Sequence, residues 1–488
     1  MATTCSPIAS APHLQRKLRH YCPSPWGDFF LNYVTCTPSQ LLSMKEMAHK
    51  GGGGLVDTLQ RIGVDYHYKK EIDDLICSIY NDKDYGIYSS DLYITSLQFY
   101  LLRKHGYTIS ADVFEKFRDK QGNISSDDVN CLLMLYDAAQ MRTHGEEILE
   151  DMITFNKSRL QYLMMKNLEP ELAEEVRCTL ETPRFRRVER VEARRYISLY
   201  KKKGVQYETL LDFAKLDYNI LQAIYCDELE LTIWWKDLQS WTDLSFAWDR
   251  MVEMHFWILG ALYEPYYSYS RTMLTKFTLL ASLLDDFYDN YSTTEESTMF
   301  TTAIERWNEQ TTGKFPAHMK VICTAKFYHA EVKWRDEHYV PTNVDEHLQI
   351  SMHSSVCMQI INLVLISLRD VTTSTEDDVD WVFTFPKIIR GVSTVGRIIN
   401  DIVSHEREQA SLHVVSTVQT CMKQYGITAE QAKEKLTVMI EEAWMDMVQD
   451  YLHEKRPMEL LEKSVDVARM MDFFYKRDDA YTLPLSLK

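Results

Sequence analysis

With 488 residues and 45% hydrophobic content, the chain is longer than a single hydrophobic core normally supports, so more than one domain is expected. Its 71 acidic against 54 basic residues give a formal net charge of −17, which excludes sequence-independent nucleic-acid binding, because that needs cationic surface to displace counterions. Ten scattered cysteines form no CxxC pair, so the thiols read as reduced and no zinc site is indicated.

From the N-terminus, residues 1–16 lack the apolar core of a signal peptide and are short for a transit peptide, so a cytoplasmic location is expected. The run Gly51 to Gly54 resists helix formation. Elsewhere glycine and proline are scarce, at 16 and 13 residues, which leaves long helical periodicities uninterrupted. The passage Lys201 to Val205, with its turn-prone Gly204, divides an N-terminal helical domain (1–205) from a C-terminal domain (206–488). Segments 208–235, 429–451 and 458–475 repeat apolar residues at three and four, and no stretch alternates as a strand. The fold class is therefore all-α. No fixed-period repeat points to a solenoid, and no run of about 18 apolar residues suggests a membrane span.

Two acidic clusters in the second half carry the chemistry. The first is Asp285-Asp286-Phe287-Tyr288-Asp289; if residues 279–291 are helical, Asp285 and Asp289 share one face and Asp286 stands about 100° away. Alone the triplet is weak, since a chain with 71 acidic residues makes such patterns on solvated faces. It ends the apolar run Phe277 to Leu284, however, which directs the carboxylates toward a cavity mouth. The second cluster sets Asn400, Ser404 and Glu408 at i, i+4, i+8, a drift of about 40° per step that keeps three oxygens on one stripe. Arg397 lies one turn before Asn400, where a guanidinium binds phosphate bidentately. Hard oxygen ligands without thiolate or imidazole suit Mg²⁺ or Mn²⁺, and Mg²⁺ keeps positions open for substrate phosphate oxygens. Two incomplete acidic walls thus describe a divalent-metal site for a diphosphate, the cations inverting a field that would otherwise repel the anion.

With these clusters the chain resembles plant class I terpene synthases, and among them the cytosolic sesquiterpene cyclases of grasses. The resemblance runs almost end to end, through Arg16-Lys17 ahead of Trp26, Phe99 to Arg103, His144 to Glu147, Glu192 to Tyr196, Lys333 to Thr342 and Asp479-Ala480-Tyr481-Thr482. It implies an N-terminal α-barrel-like domain without an active site of its own and a C-terminal class I terpenoid synthase α-bundle. It also implies three Mg²⁺ ions held by Asp285, Asp289, Asn400, Ser404 and Glu408, with Glu337 as a supplementary ligand. Arg250 and Arg397 would grip the diphosphate and, with Asp285 and Asp289, drive its departure. Trp257 is similar to a pocket-floor tryptophan and Tyr481 to a tyrosine of a late active-site loop, although 12% aromatic content leaves plain core positions as the competing reading. Ser354 and Ser355 would line the wall at a helix break. Arg16, Lys17 and Trp26 would fold across the mouth, or simply anchor the terminus. The expected activity is ionisation and cyclisation of an isoprenoid diphosphate to a C15 hydrocarbon or alcohol by a monomer, farnesyl diphosphate being favoured because the leader is short.

Departures from the family pattern support a second reading, a catalytically impaired paralogue or truncated gene product that keeps the fold. Trp248 stands where the family usually has the first of two arginines, which removes one charge-assisted phosphate contact of about 1.5 to 3 kcal/mol. The glycine run replaces a long helix. Between Lys320 and Ala330 the chain lacks roughly 30 residues, equivalent to about 45 Å of helix. The chain also ends soon after Tyr481, without an expected terminal helix. A prenyl-diphosphate synthase would need two aspartate-rich motifs, and Asn400 to Glu408 is not one.

Overall fold

The computed structural model describes residues 53–81, 89–166, 168–202, 208–241, 247–310, 325–368, 375–410 and 414–484. Arg16, Lys17, Trp26, Gly51 and Gly52, residues 203–205 of the junction, and residues 320–324 of the stretch expected to be shortened lie outside the described residues.

Among the described residues all regular structure is helical. The first half holds α1 (Gly53–Ile62), α2 (Lys69–Asn81), α3 (Leu92–Lys104), α4 (Val129–Ala139), α5 (Glu147–Met164), α6 (Pro170–Glu181) and α7 (Glu189–Lys202). The second holds α8 (Glu208–Glu228), α9 (Leu231–Trp241), α10 (Met251–Ala261), α11 (Ser268–Asp286), α12 (Thr294–Gln310), α13 (Ala325–Asp336) and α14 (Val344–Ser354). There follow α15 (Cys357–Leu368), α16 (Glu376–Phe383), α17 (Lys387–Gln409), α18 (Thr417–Tyr425), α19 (Ala429–His453) and α20 (Met458–Phe474).

Local chemistry fixes many of the ends. Asp91 and Asp128 accept backbone N–H groups at the starts of α3 and α4. Ser416 with Gln419 and Thr428 with Gln431 form reciprocal capping boxes at α18 and α19. Gly426, at φ 64°, closes α18 in the left-handed conformation that glycine adopts without steric cost. Three expectations change. Gly53 and Gly54 begin α1 rather than preceding it, since first-turn residues need no intrahelical N–H partner. The periodicity over 208–235 splits at Leu229-Glu230 into α8 and α9. The helix through the first acidic cluster is α only to Asp286 and continues as a π turn over Phe287–Tyr291.

One apolar core runs through both halves, from Val56 and Leu101 through Phe185 to Trp444 and Val465. Polar contacts reinforce the seam: Arg186 forks onto Glu441 with both N···O distances 2.6 Å, Arg469 Nε donates to Phe185 O at 2.7 Å, and the Tyr451 hydroxyl donates to Lys104 O at 2.6 Å. The first half therefore buttresses α19 and α20, and these in turn carry α17. At Gly391 a Cβ would come within 2.7 Å of Met447 Cγ and 3.0 Å of Ala443 O, so α17 and α19 approach as only a glycine contact allows.

The stretch Val344–Leu368 meets the length and apolarity of a membrane span, but half of its most apolar window is buried inside the protein. It is also broken between α14 and α15, where Val356 takes φ 62°. A β-branched residue there is strained, and strain of this kind collects at functional sites.

Candidate active site

The first wall is the end of α11. The Ser292 N–H donates to Phe287 O at 2.7 Å, five residues back, which is the wide π register. Arg335 Nη1 holds the turn from outside, donating to Tyr288 O at 3.1 Å and Asp289 O at 3.0 Å. Tyr288 is buried beneath it, bonded to Thr301 at 2.8 Å and stacked on Tyr328. Asp285 and Asp289 thereby border one cavity. Asp286 turns away; it accepts the Trp248 N–H at 3.2 Å and pairs with Arg250 at 3.4 Å.

The second wall is α17. Asn400 and Glu408 border the same cavity, and Ser404 is buried between them on the stripe. Arg397 also borders it, donating to Ser354 Oγ at 3.1 Å and Ser351 O at 3.3 Å. Burial disfavours its charge, but Glu331 at 4.0 Å and Asp401 at 3.7 Å more than offset that and hold the guanidinium firmly protonated. Asp401 itself faces α18, accepting the Thr417 N–H at 2.6 Å.

The acids are crowded. Burial, then the charge of Asp286, raises Asp285 to about 6, and burial, then Asp285 and Glu331, pushes Asp289 well above the carboxylate range. Burial likewise brings Glu331 up to about 7 against the pull of Arg397. Asp289 Oδ1 and Ser404 Oγ, one on each wall, are buried without a hydrogen-bond partner. A divalent cation fits this set: it satisfies orphaned hard oxygens and relieves carboxylate repulsion. Among the described residues no three acidic, imidazole or thiolate groups converge closely enough to hold an ion unaided. An ion shared with substrate oxygens is what such open walls suit.

Glu337 does not join this set. It is exposed just beyond the end of α13, whereas Glu331, about 120° away round the helix, is buried, borders the cavity and accepts the Ser354 hydroxyl at 2.9 Å. The sequence carried the signal, since Glu331 is the acid within Tyr328 to Trp334, while Glu337 sits in the charged run Arg335 to His338. Arg407 and Tyr328 also border the cavity, as does Asp479 of the Asp479 to Thr482 motif, and the sequence had given none of the three a site role. Arg250 borders it, and its guanidinium carbon lies 5.6 Å from the Trp248 ring centroid and 4.8 Å from that of Tyr481. The same cavity is also lined by the apolar and aromatic side chains Met254, Trp257, Ile360, Met471, Tyr475 and Tyr481, and Ser354 and Ser355 reach its wall at the helix break.

The sequence matches the family model for the terpene synthase N-terminal domain over residues 42–180. It matches the model for the terpene synthase family metal binding domain over 236–325 and 322–446. The (E)-beta-caryophyllene synthase of Zea mays is 45% identical, covering 95% of this chain and 93% of its own length. Zingiberene synthase of Sorghum bicolor is 40% identical over 96% and 94%. Among solved structures, limonene synthase with 2-fluorolinalyl diphosphate superposes with a TM-score of 0.87 at 25% identity, covering 96% of each chain. Isoprene synthase from grey poplar, in complex with three Mg²⁺ ions and dimethylallyl-S-thiolodiphosphate, superposes with 0.82 at 27% identity, covering 89% of this chain and 92% of its own. The alignment to the maize relative spans 515 positions, more than the 488 residues present here, so this chain carries gaps against it. The metal-binding match breaks into two stretches that meet at 322–325, where the sequence reads as shortened.

Proposed function

The chain belongs to the terpene synthase family, and on that premise we propose that it is a sesquiterpene synthase, ionising and cyclising farnesyl diphosphate to a C15 hydrocarbon or alcohol with release of diphosphate. The observation that carries this reading is one cavity lined both by Asp285, Asp289, Asn400, Glu408, Arg250, Arg397 and Arg407 and by the aromatic and apolar side chains Met254, Trp257, Ile360, Met471, Tyr475 and Tyr481. The grass relatives named above support a C15 substrate.

In this reading Asp285, Asp289, Asn400, Ser404 and Glu408 hold three Mg²⁺ ions, with Mn²⁺ as a substitute. When bound, the metal supplies Lewis-acid stabilisation of the departing diphosphate. Arg397 and Arg250 orient the diphosphate and meet the charge that grows on it as the allylic C–O bond breaks. Trp257, Tyr475 and Tyr481 line the cavity, where their π faces would favour a carbocation and their bulk would exclude the water that quenches it.

The test is incubation of the purified protein with farnesyl, geranyl and geranylgeranyl diphosphates and Mg²⁺, followed by gas chromatography of the organic extract. A C15 product from farnesyl diphosphate is expected. The interruption at 322–325 favours a second reading, an impaired synthase that keeps the fold. Magnesium-dependent pyrophosphate binding without volatile product from any of the three substrates would establish it.

A further inference from the structure

Among the described residues three guanidiniums border the cavity, and they differ in what their contacts leave available. Arg250 is engaged by Asp286 and Ser282 and lies against the Tyr481 ring, with its Nε buried and making no hydrogen bond. Arg397 is engaged by Ser351, Ser354, Glu331 and Asp401. Arg407 pairs through Nη2 with Asp479 at 2.6 Å and stands 3.9 Å from Glu408, while its Nη1 is buried and makes no hydrogen bond. Seven residues after Asn400, it lies about 20° from that side chain round α17, on the same stripe as the metal-type oxygens. A buried guanidinium N–H left unpaired is costly, and an anionic oxygen is its strongest partner.

We propose that Arg407 is a third diphosphate-binding residue: Nη1 donates to a diphosphate oxygen while the Asp479 pair holds the other edge. The turn that carries Asp479 and Tyr481 is thereby fastened to the phosphate end of the substrate. The proposal rests on the reading of this cavity as a diphosphate site.

The test is calorimetric titration of the full chain with inorganic pyrophosphate at saturating Mg²⁺. Arg407→Gln is expected to weaken pyrophosphate binding about tenfold or more, and Arg407→Lys to recover part of the loss. Asp479→Asn, which keeps an acceptor for Nη2 and removes an anion beside the ligand, is expected to weaken binding clearly less than Arg407→Gln. Parent-like affinity in Arg407→Gln would overturn the proposal and leave the diphosphate site standing. So would equal weakening by Arg407→Gln and Asp479→Asn, which would make Arg407 a positioning contact for the turn. Absence of magnesium-dependent pyrophosphate binding in the parent would overturn the diphosphate site and the role of Arg407 with it. Should Arg407→Gln not fold, the Lys variant carries the same comparison, with a loss of about threefold expected.

Discussion

Tyr481 donates its hydroxyl to Ser282 Oγ at 2.9 Å, tying the turn after α20 to α11 just before Asp285. Arg250 Nη1 donates to the same Ser282 oxygen at 3.2 Å. Phenol, hydroxyl and guanidinium therefore form one group on the cavity wall.

Tyr481→Phe keeps the ring and loses one hydrogen bond, a net cost of about 1 kcal/mol, so kcat/KM is expected to stay within about tenfold of the parent. Tyr481→Ala removes the ring and admits water; the fraction of alcohol among products should rise at the expense of hydrocarbon. Gas chromatography of both variants checks this, and an unchanged product ratio in Tyr481→Ala would take the ring out of the reaction space.

Asp285→Ala and Asp289→Ala are each expected to lower turnover at least about a hundredfold without unfolding the protein. In metal-free buffer their melting temperatures should equal or exceed that of the parent, because each removes a buried, crowded carboxyl. Mg²⁺ with pyrophosphate should raise the parent's melting temperature and raise the variants' less. Wild-type turnover in either variant would refute the metal assignment.

Glu331 and Glu337 make a paired test. Glu331→Gln keeps a partner for Ser354 but removes the charge facing Arg397, and turnover should fall about tenfold or more. Glu337→Gln alters an exposed residue outside the cavity and should match the parent. The reverse result would restore Glu337 to the ligand set.

His347 governs part of the acid response. Burial lowers its pKa to about 4, and its Nδ1 lies 2.9 Å from Thr420 Oγ1. The unfolded chain, with histidine near 6.5, binds the proton more readily than the fold does. The stability this group contributes is therefore complete above pH 6.5 and is lost as pH falls toward 4, by roughly 3 kcal/mol. His347→Gln should flatten urea-denaturation stability over that window, and a slope identical to the parent's would assign the acid response to other groups.

Helical class and most helix positions were legible because apolar spacing and caps act locally: the segments at 429–451 and 458–475 became α19 and α20 almost residue for residue. The i, i+4, i+8 oxygens of α17 were legible for the same reason. Glu331 was missed because its role depends on which face of α13 meets the cavity, a fact fixed by packing against α14 and the π turn. Arg407 and Asp479 escaped because the contact joins residues far apart in sequence that only the fold brings together. The break between α8 and α9 was hidden by an apolar periodicity that continues across it.

The π turn at Phe287–Tyr291 sets how this gene tolerates gain and loss of residues. It is a helix carrying one residue more per turn than its neighbours, with Arg335 bonded to the carbonyls that the extra width exposes. Losing a single codon there would return the turn to α register, rotate Asp289 by about 100° and withdraw the acceptors of Arg335. The break in the metal-binding match at 322–325 lies outside this turn, and Asp289 and Glu331 border the same cavity. A change of one residue in this turn reaches the site directly, and a library of single-residue deletions should show its sharpest loss of function across 287–291.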